Sequence, residues 1–373
     1  MLMVIFGAGA SYDSSTDFPV PNPQLTVPPT PEPWRPPLTN ELFLDSSGRF
    51  GDIVQRYPRL RYILPFLRQP QNNRTVEQQL ELYMEQASTD EERKRQLLSV
   101  RYYLHDLFRM VSDEWLKRTN GVTNYATLID QIRNMNTAGE PVYLVSFNYD
   151  LLLDHAINPS GANTEPLERH FAHTMFKLFK PHGSVDWAQF IAGPKGITYY
   201  DRSHRPGFFD PPASQGPRLT PGNLIDQAPD LKLSGEYVRT NATDPHQMFT
   251  FNWSIVPAIA IPVQTKTEDF FEWPDSHRKY FEQVLPQITK ILIIGWQGKE
   301  AHFLKLLREK LSTGGPSQLT HLQVVGSNSE EAGRISKQFI MDIRREVKTV
   351  HIHPTQGFSQ LVRQEQVGFF FKD

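Results

Sequence analysis

The chain has 373 residues, 39% hydrophobic and 21% charged, with a formal net charge of -2 and no cysteine. That length holds one large domain or two ordinary ones, and the balance is that of a globular chain rather than a disordered one. The small net charge leaves no global field for nucleic acid, and the missing thiols exclude disulfides and disfavour a structural zinc site. No basic apolar leader opens the chain, and no run approaches the roughly 20 apolar residues of a membrane helix. A cytoplasmic protein with no membrane contact and no direct nucleic-acid binding is expected.

Residues 2–6 (Leu-Met-Val-Ile-Phe) read as a buried first strand, followed at once by Gly7-Ala8-Gly9-Ala10-Ser11. Two glycines let the backbone turn tightly and approach a phosphate, and a helix starting near Ser11 would present free amides to it. Tyr12 stands where a dinucleotide fingerprint would have its third glycine, so a purely structural tight turn stays open. Residues 19–37 contain nine prolines and read as an irregular loop, either a cover over a ligand or a surface excursion. Next come Arg56, Arg59, Arg61 and Arg68, interleaved with Tyr57, Tyr62 and Phe66. We read these as a solvated helix face or subunit contact before a nucleic-acid patch.

A helical insertion is expected over about residues 75–135. Val76, Leu80, Tyr83, Met84 and Ala87 recur at three- and four-residue spacing behind the capping residue Thr75. Leu97, Val100, Leu104, Leu107, Phe108 and Val111 mark a second helix over 91–117, and a third covers 124–135. The strand-like run 143–147 then ends in Asn148-Tyr149-Asp150, and the run 175–179 ends in Lys180-Pro181-His182-Gly183-Ser184. Residues 193–257 read as an irregular insertion of loops and short hairpins, with a short strand at 197–200. Beyond it, strands are expected at 258–262, 290–294, 322–325 and 349–353, and helices at 302–311 and 330–345. Strands alternating with helices imply an α/β, doubly wound (Rossmann-like) parallel sheet. We expect one domain spanning 1–373, with the three insertions built into it.

Open parallel sheets bind ligands at the carboxyl ends of their strands. A glycine turn, an Asn-x-Asp and a His at three such ends therefore outline a nucleotide site. Asn148 offers both a donor and an acceptor, to hold a ribose hydroxyl or place a water. Asp150 can receive a carboxamide, although either residue also suits a helix cap. His182 is the natural general base near neutral pH, and Gly183 frees the backbone to present it. Ile294-Gly295-Trp296 and Val325-Gly326-Ser327-Asn328 place small and amide residues at two further strand ends, where ordinary turns are the alternative. His351 and His353 share a strand face, but without further ligands they do not make a metal site.

Taken in order, Gly7-Ala8-Gly9-Ala10-Ser11, Phe147-Asn148-Tyr149-Asp150 and Lys180-Pro181-His182-Gly183-Ser184 resemble the sirtuin-like superfamily. The similarity is to its bacterial branch of anti-phage defence proteins that hydrolyse NAD. Pro36-Pro37-Leu38-Thr39 and the late Ile293-Ile294-Gly295 and Val324-Val325-Gly326-Ser327 strands extend the resemblance over most of the chain. It implies NAD as substrate and no metal, with Asn148 and His182 catalytic. Gly7, Ala8, Gly9 and Ser11 would cradle the diphosphate, Asp150 would contact the nicotinamide amide, and Gly295, Ser327 and Asn328 would lie near the ribose or base. It also implies a homo-oligomer, or a trigger supplied by a partner such as a HerA-like ATPase or an Argonaute-type protein. The four-cysteine zinc module of the family's deacylases cannot be built here, which favours simple NAD cleavage over deacylation. A non-catalytic NAD or ADP-ribose sensor is the alternative. The missing third glycine argues against a dehydrogenase.

Overall fold

The computed structural model describes residues 1–20, 32–44, 51–69, 74–159, 167, 175–191, 221–240, 255–263, 271–312, 318–352 and 357–371. Its strands are β1 (Leu2–Phe6), β2 (Val142–Ser146), β3 (Phe176–Phe179), β4 (Gly183–Ile191), β5 (Leu233–Arg239), β6 (Ile255–Ile259), β7 (Lys290–Ile294), β8 (His321–Val325) and β9 (Thr349–Ile352). The helices are α1 (Ala8–Tyr12), α2 (Gly51–Arg56), α3 (Leu64–Arg68), α4 (Val76–Ala87), α5 (Glu91–Arg118), α6 (Asn124–Met135), α7 (Leu152–Ile157), α8 (Pro221–Asp226), α9 (Asp275–Val284), α10 (Ala301–Lys310), α11 (Ser329–Ile343) and α12 (Gly357–Arg363). Among the described residues no helix is long and apolar enough to cross a membrane.

The chain forms two compact units: one of Met1–Leu42, Phe108–Ser184 and Gln264–Asp373, the other of Phe43–Leu107 and Val185–Val263. The first is the expected α/β architecture. Its six strands run in the order β3-β2-β1-β7-β8-β9, and every neighbouring pair is parallel. All five residues of β1 and of β2 are buried. Such continuous apolar runs are what a sheet covered on both faces requires. Leu128, Ile129 and Ile132 of α6 pack in one core with Val4, Leu144 and Leu292 of the sheet. That helix begins where Thr123 Oγ1 accepts the Ala126 amide at 3.2 Å.

From β1 the chain goes to β2 and β3 on one side, and later enters β7 on the other. The point between β1 and β7 is therefore the topological switch of this sheet, where open α/β folds leave a crevice at the strands' carboxyl ends.

The second unit holds α2 to α4, most of α5 and a three-stranded sheet in the order β5-β4-β6. This corrects the strand expected at 258–262: it lies at Ile255–Ile259 and belongs to this sheet, not to the parallel one. Pro257 falls inside it, which an edge strand tolerates because one row of amides has no ladder to serve. Within residues 193–257, α8 and β5 are regular; 192–220, with the strand expected at 197–200, and 241–254 lie outside the described residues. The expected helical insertion divides, with residues up to 107 in the second unit and α6 in the first. The arginine-rich stretch is largely paired inside its own unit. Arg59 meets Glu92 and Asp226, Arg56 meets Asp106, and Arg68 Nε donates to the Phe43 carbonyl at 2.8 Å.

Candidate active site

Each cluster singled out in the sequence stands at a strand end, and after β1, β2 and β7 the sheet ladder continues into the turn. The Gly7 amide donates to Ile294 O at 3.0 Å, the Phe147 amide to Phe6 O at 3.0 Å, and the Gly295 amide to Val325 O at 3.0 Å. The first helix begins at Ala8, three residues earlier than expected, so Ser11 lies inside it and is buried.

The glycines have a steric reason. A Cβ on Gly7 would stand 2.6 Å from Gly295 O, one on Gly9 would stand 2.9 Å from Gly295 Cα, and one on Gly295 would stand 2.2 Å from Ala10 N. The turn after β1 is seated backbone to backbone on the turn after β7, tied by Gly9 N donating to Gly295 O at 3.0 Å. Gly295 also has φ +60, in the left-handed region that favours glycine. Ala8 and Gly9 stay partly exposed on the outer side of the turn.

Asn148 joins the first cluster to the second. Its amide nitrogen lies 2.9 Å from Gly7 O, 2.9 Å from Ser11 Oγ and 3.1 Å from the Tyr125 hydroxyl. A backbone carbonyl can only accept, so the nitrogen must face Gly7 and the orientation of the amide is fixed. Ser11 in turn donates to Asp150 Oδ2 at 2.6 Å and lies 2.9 Å from the Tyr125 hydroxyl. Because the Ser11 proton goes to the carboxylate, Tyr125 donates to Ser11. The other oxygen of Asp150 accepts the Leu152 amide at 3.1 Å, which starts α7. Burial pushes the Asp150 carboxyl up; the charge of Lys180 and the bonds from Ser11 and Leu152 oppose this without cancelling it. Burial, reinforced by Asp150, likewise holds the Tyr125 hydroxyl protonated far above its ordinary range.

Lys180 joins the third cluster to the second. Its ammonium donates to the Asp150 carbonyl at 2.7 Å, to Asp154 Oδ2 at 2.9 Å and to Ser184 Oγ at 2.8 Å. Three donors meet three acceptors on a fully buried side chain. The chain then turns between β3 and β4 through Gly183, at φ +78, whose amide donates to Lys180 O at 2.9 Å. His182 sits in that turn, 4% exposed, with its ring edge-on to Phe147 at 4.8 Å. Phe147 stacks on Trp296 at 5.2 Å with 6° between planes, and Phe303 closes the cluster edge-on to Phe147 at 5.0 Å. An aromatic row thus runs from the end of β3 across β2 to β7.

Ser327 and Asn328 are less close to this network. Both are exposed at the end of β8. Asn328 caps α11 by accepting the Glu331 amide at 2.9 Å, and Ser327 donates its hydroxyl to Glu331 Oε2 at 2.6 Å. Gln297, two residues past Gly295, donates to the other oxygen of Glu331 at 2.7 Å, so the ends of β7 and β8 are bridged. Burial raises the Glu331 carboxyl, but the bonds from Ser327 and Gln297 outweigh it and hold the group below its usual range. His351 lies on β9, its ring 3.9 Å from that of Phe369, and His353 is outside the described residues.

Sequence reading missed Tyr125, Asp154 and the bonding role of Lys180. Tyr125 sits on an amphipathic helix and reads as core, which it also is. The Lys180–Asp154 pair joins residues far apart in sequence, with no local signal.

No protein-family model and no curated protein matches this chain.

Proposed function

We propose that the protein cleaves the bond between nicotinamide and ribose in NAD with water, releasing nicotinamide and ADP-ribose. One observation carries this reading. The glycine turn, the Asn-x-Asp cluster and the His cluster, far apart in sequence, meet at the carboxyl ends of β1, β2 and β3 beside the switch point of the sheet. The likeness of those clusters to the sirtuin-like NAD hydrolases of bacterial defence supports it.

In this reading the partly exposed Ala8-Gly9 edge and Gly295 face the diphosphate, and Ser327 and Asn328 lie toward the adenosine end. The amide nitrogen of Asn148 is held by the protein, so this residue offers its carbonyl oxygen, an acceptor for a ribose hydroxyl or for the attacking water. Asp150 is bonded through both oxygens and acts by fixing Ser11 and the start of α7 rather than by touching nicotinamide. The C1′–N bond breaks with its electron pair passing to the nicotinamide ring, through an oxocarbenium-like state. The water oxygen bonds to C1′, and its proton passes to His182.

Incubation with NAD and chromatography of the products tests the reaction. His182→Ala should lower nicotinamide release by about 10²–10⁴-fold, the usual worth of a general base, and Asn148→Ala should lower it comparably. Wild-type rates in both folded variants would refute the assignment. The defence role adds that activity rises in a homo-oligomer or on mixing with a HerA-like ATPase or Argonaute-type partner. Unchanged turnover in every such assembly would remove it.

A second reading is a sensor that binds NAD or ADP-ribose without chemistry. It is favoured by the engagement of Ser11, Asp150 and Lys180 in bonds to one another and to their neighbours. Saturable NAD binding with no nicotinamide released in any assembly would decide for it.

A further inference from the structure

A cavity of about 560 Å³ opens in the first unit, lined by residues that the proposed hydrolase site does not use. Its size is within the range of small-molecule sites. Met135 at the end of α6, Gln323 of β8 and His351 of β9 line it, together with the segment from Gln364 to Phe371 that follows α12.

Gln323 is the informative residue. It is 1% exposed, and among the described residues its side chain makes one hydrogen bond, from its amide nitrogen to Gln366 Oε1 at 3.5 Å, the far limit of such a contact. Its amide oxygen has no donor among the described residues. Gln323 lines the cavity, so this oxygen is an acceptor that a ligand's donor can meet there. Beside it stand the rings of His351 and Phe369, their centroids 3.9 Å apart, with Phe369 only half-buried. Among the described residues the lining contains no lysine or arginine, and Glu365 is the one carboxylate. Glu365 is held at φ +51, a backbone state that costs a non-glycine residue energy and recurs at ligand clamps.

We propose that this cavity is a second ligand site, taking an uncharged adenine-bearing compound, the free base or its nucleoside. A glutamine amide matches one edge of adenine in both directions: the exocyclic amine donates to the amide oxygen, and N7 accepts from the amide nitrogen. Phe369 supplies a face for the ring. Guanine and hypoxanthine present an acceptor where Gln323 Oε1 needs a donor. A nucleotide would bring its phosphate to Glu365 with no cation among the described lining residues to receive it. The site is independent of the hydrolase reading.

Calorimetric titration of the full chain with adenosine, inosine and AMP tests it. Wild-type protein and Asn148→Ala should both bind adenosine saturably, with inosine and AMP weaker by roughly tenfold or more. Gln323→Leu, which keeps the side chain's bulk, should weaken adenosine by roughly the same factor. Should that variant not fold, Gln366→Ala at the half-buried rim decides, with the same loss expected. Absence of saturable binding, equal affinity for inosine, or binding lost in Asn148→Ala and retained in Gln323→Leu would each overturn the proposal.

Discussion

Lys180 is a fully buried cation whose three hydrogens all have acceptors, and removing it takes from Asp154 the ammonium it is paired with. Breaking one half of such a pair costs about 3–5 kcal/mol. Urea unfolding of Lys180→Met should show a loss of that order, and adding Asp154→Asn should recover part of it. A loss below about 1 kcal/mol, typical of an exposed pair, would mean that the pair is not structural. Asp13 offers a test by pH. Burial raises its carboxyl above the ordinary aspartate value of 3.8, although Ser359 donates to it through both hydroxyl and amide. A carboxyl raised on folding binds more protons in the native state. Its contribution is therefore full below about pH 3.8 and lost as pH rises through the native pKa. Replacing it by Asn should flatten the fall in stability above pH 4, and an unchanged slope would contradict the assignment. At this scale the sequence showed Asn148, His182 and the glycines, because each stands beside a strand end. It was silent on Tyr125, whose helical spacing says only that it is buried.

The turns after β1 and β7 form a single element made from two distant pieces of chain. Gly295 and Gly298 separate its two requirements, since both have positive φ but only Gly295 is crowded. Gly298→Ala should cost about 1–2 kcal/mol, the price of a left-handed alanine. Gly295→Ala adds a clash with Ala10 and should cost clearly more, or prevent folding, in the same urea-unfolding assay. Equal losses would show that the two turns do not pack as described. Arg35 is a comparable device: its guanidinium donates to the carbonyls of Tyr12 at 2.6 Å and Phe18 at 2.7 Å. It thereby anchors the described ends of the proline-rich segment to α1. The buried strands and long helices were legible because an apolar run or a 3.6-residue repeat survives in the sequence. The three-stranded sheet was not. β4 carries a buried Asp186 paired with Arg239, β5 carries Ser, Gly and Glu, and β6 contains a proline.

For the molecule as a whole, alternation of strand and helix was enough to name the parallel α/β sheet, but not to separate the second unit from it. Both segments of that unit, Phe43–Leu107 and Val185–Val263, are interior to the chain, so no single composition shift marks a boundary. The sheet also depends on distant pairings: β1 lies between β2 and β7, with Phe6 in register with Ser146 on one side and Ile294 on the other. Folds dominated by such non-local pairs form slowly, because loop closure precedes the gain from contact. Stopped-flow refolding should accordingly regain the native signal in resolved phases of milliseconds or slower, and full recovery within the mixing dead time would contradict this pairing.

The position of β1 also bears on how the protein is made. A ribosome releases this strand before either of its partners, and the second of them emerges only after residue 290 has been translated, at roughly 5–20 residues per second. For many seconds the nascent polypeptide carries an apolar ribbon with one flank bare, an invitation to stick to other chains. A holding chaperone on this stretch of the nascent chain is the natural remedy, and expression without one should leave much of the product in inclusion bodies.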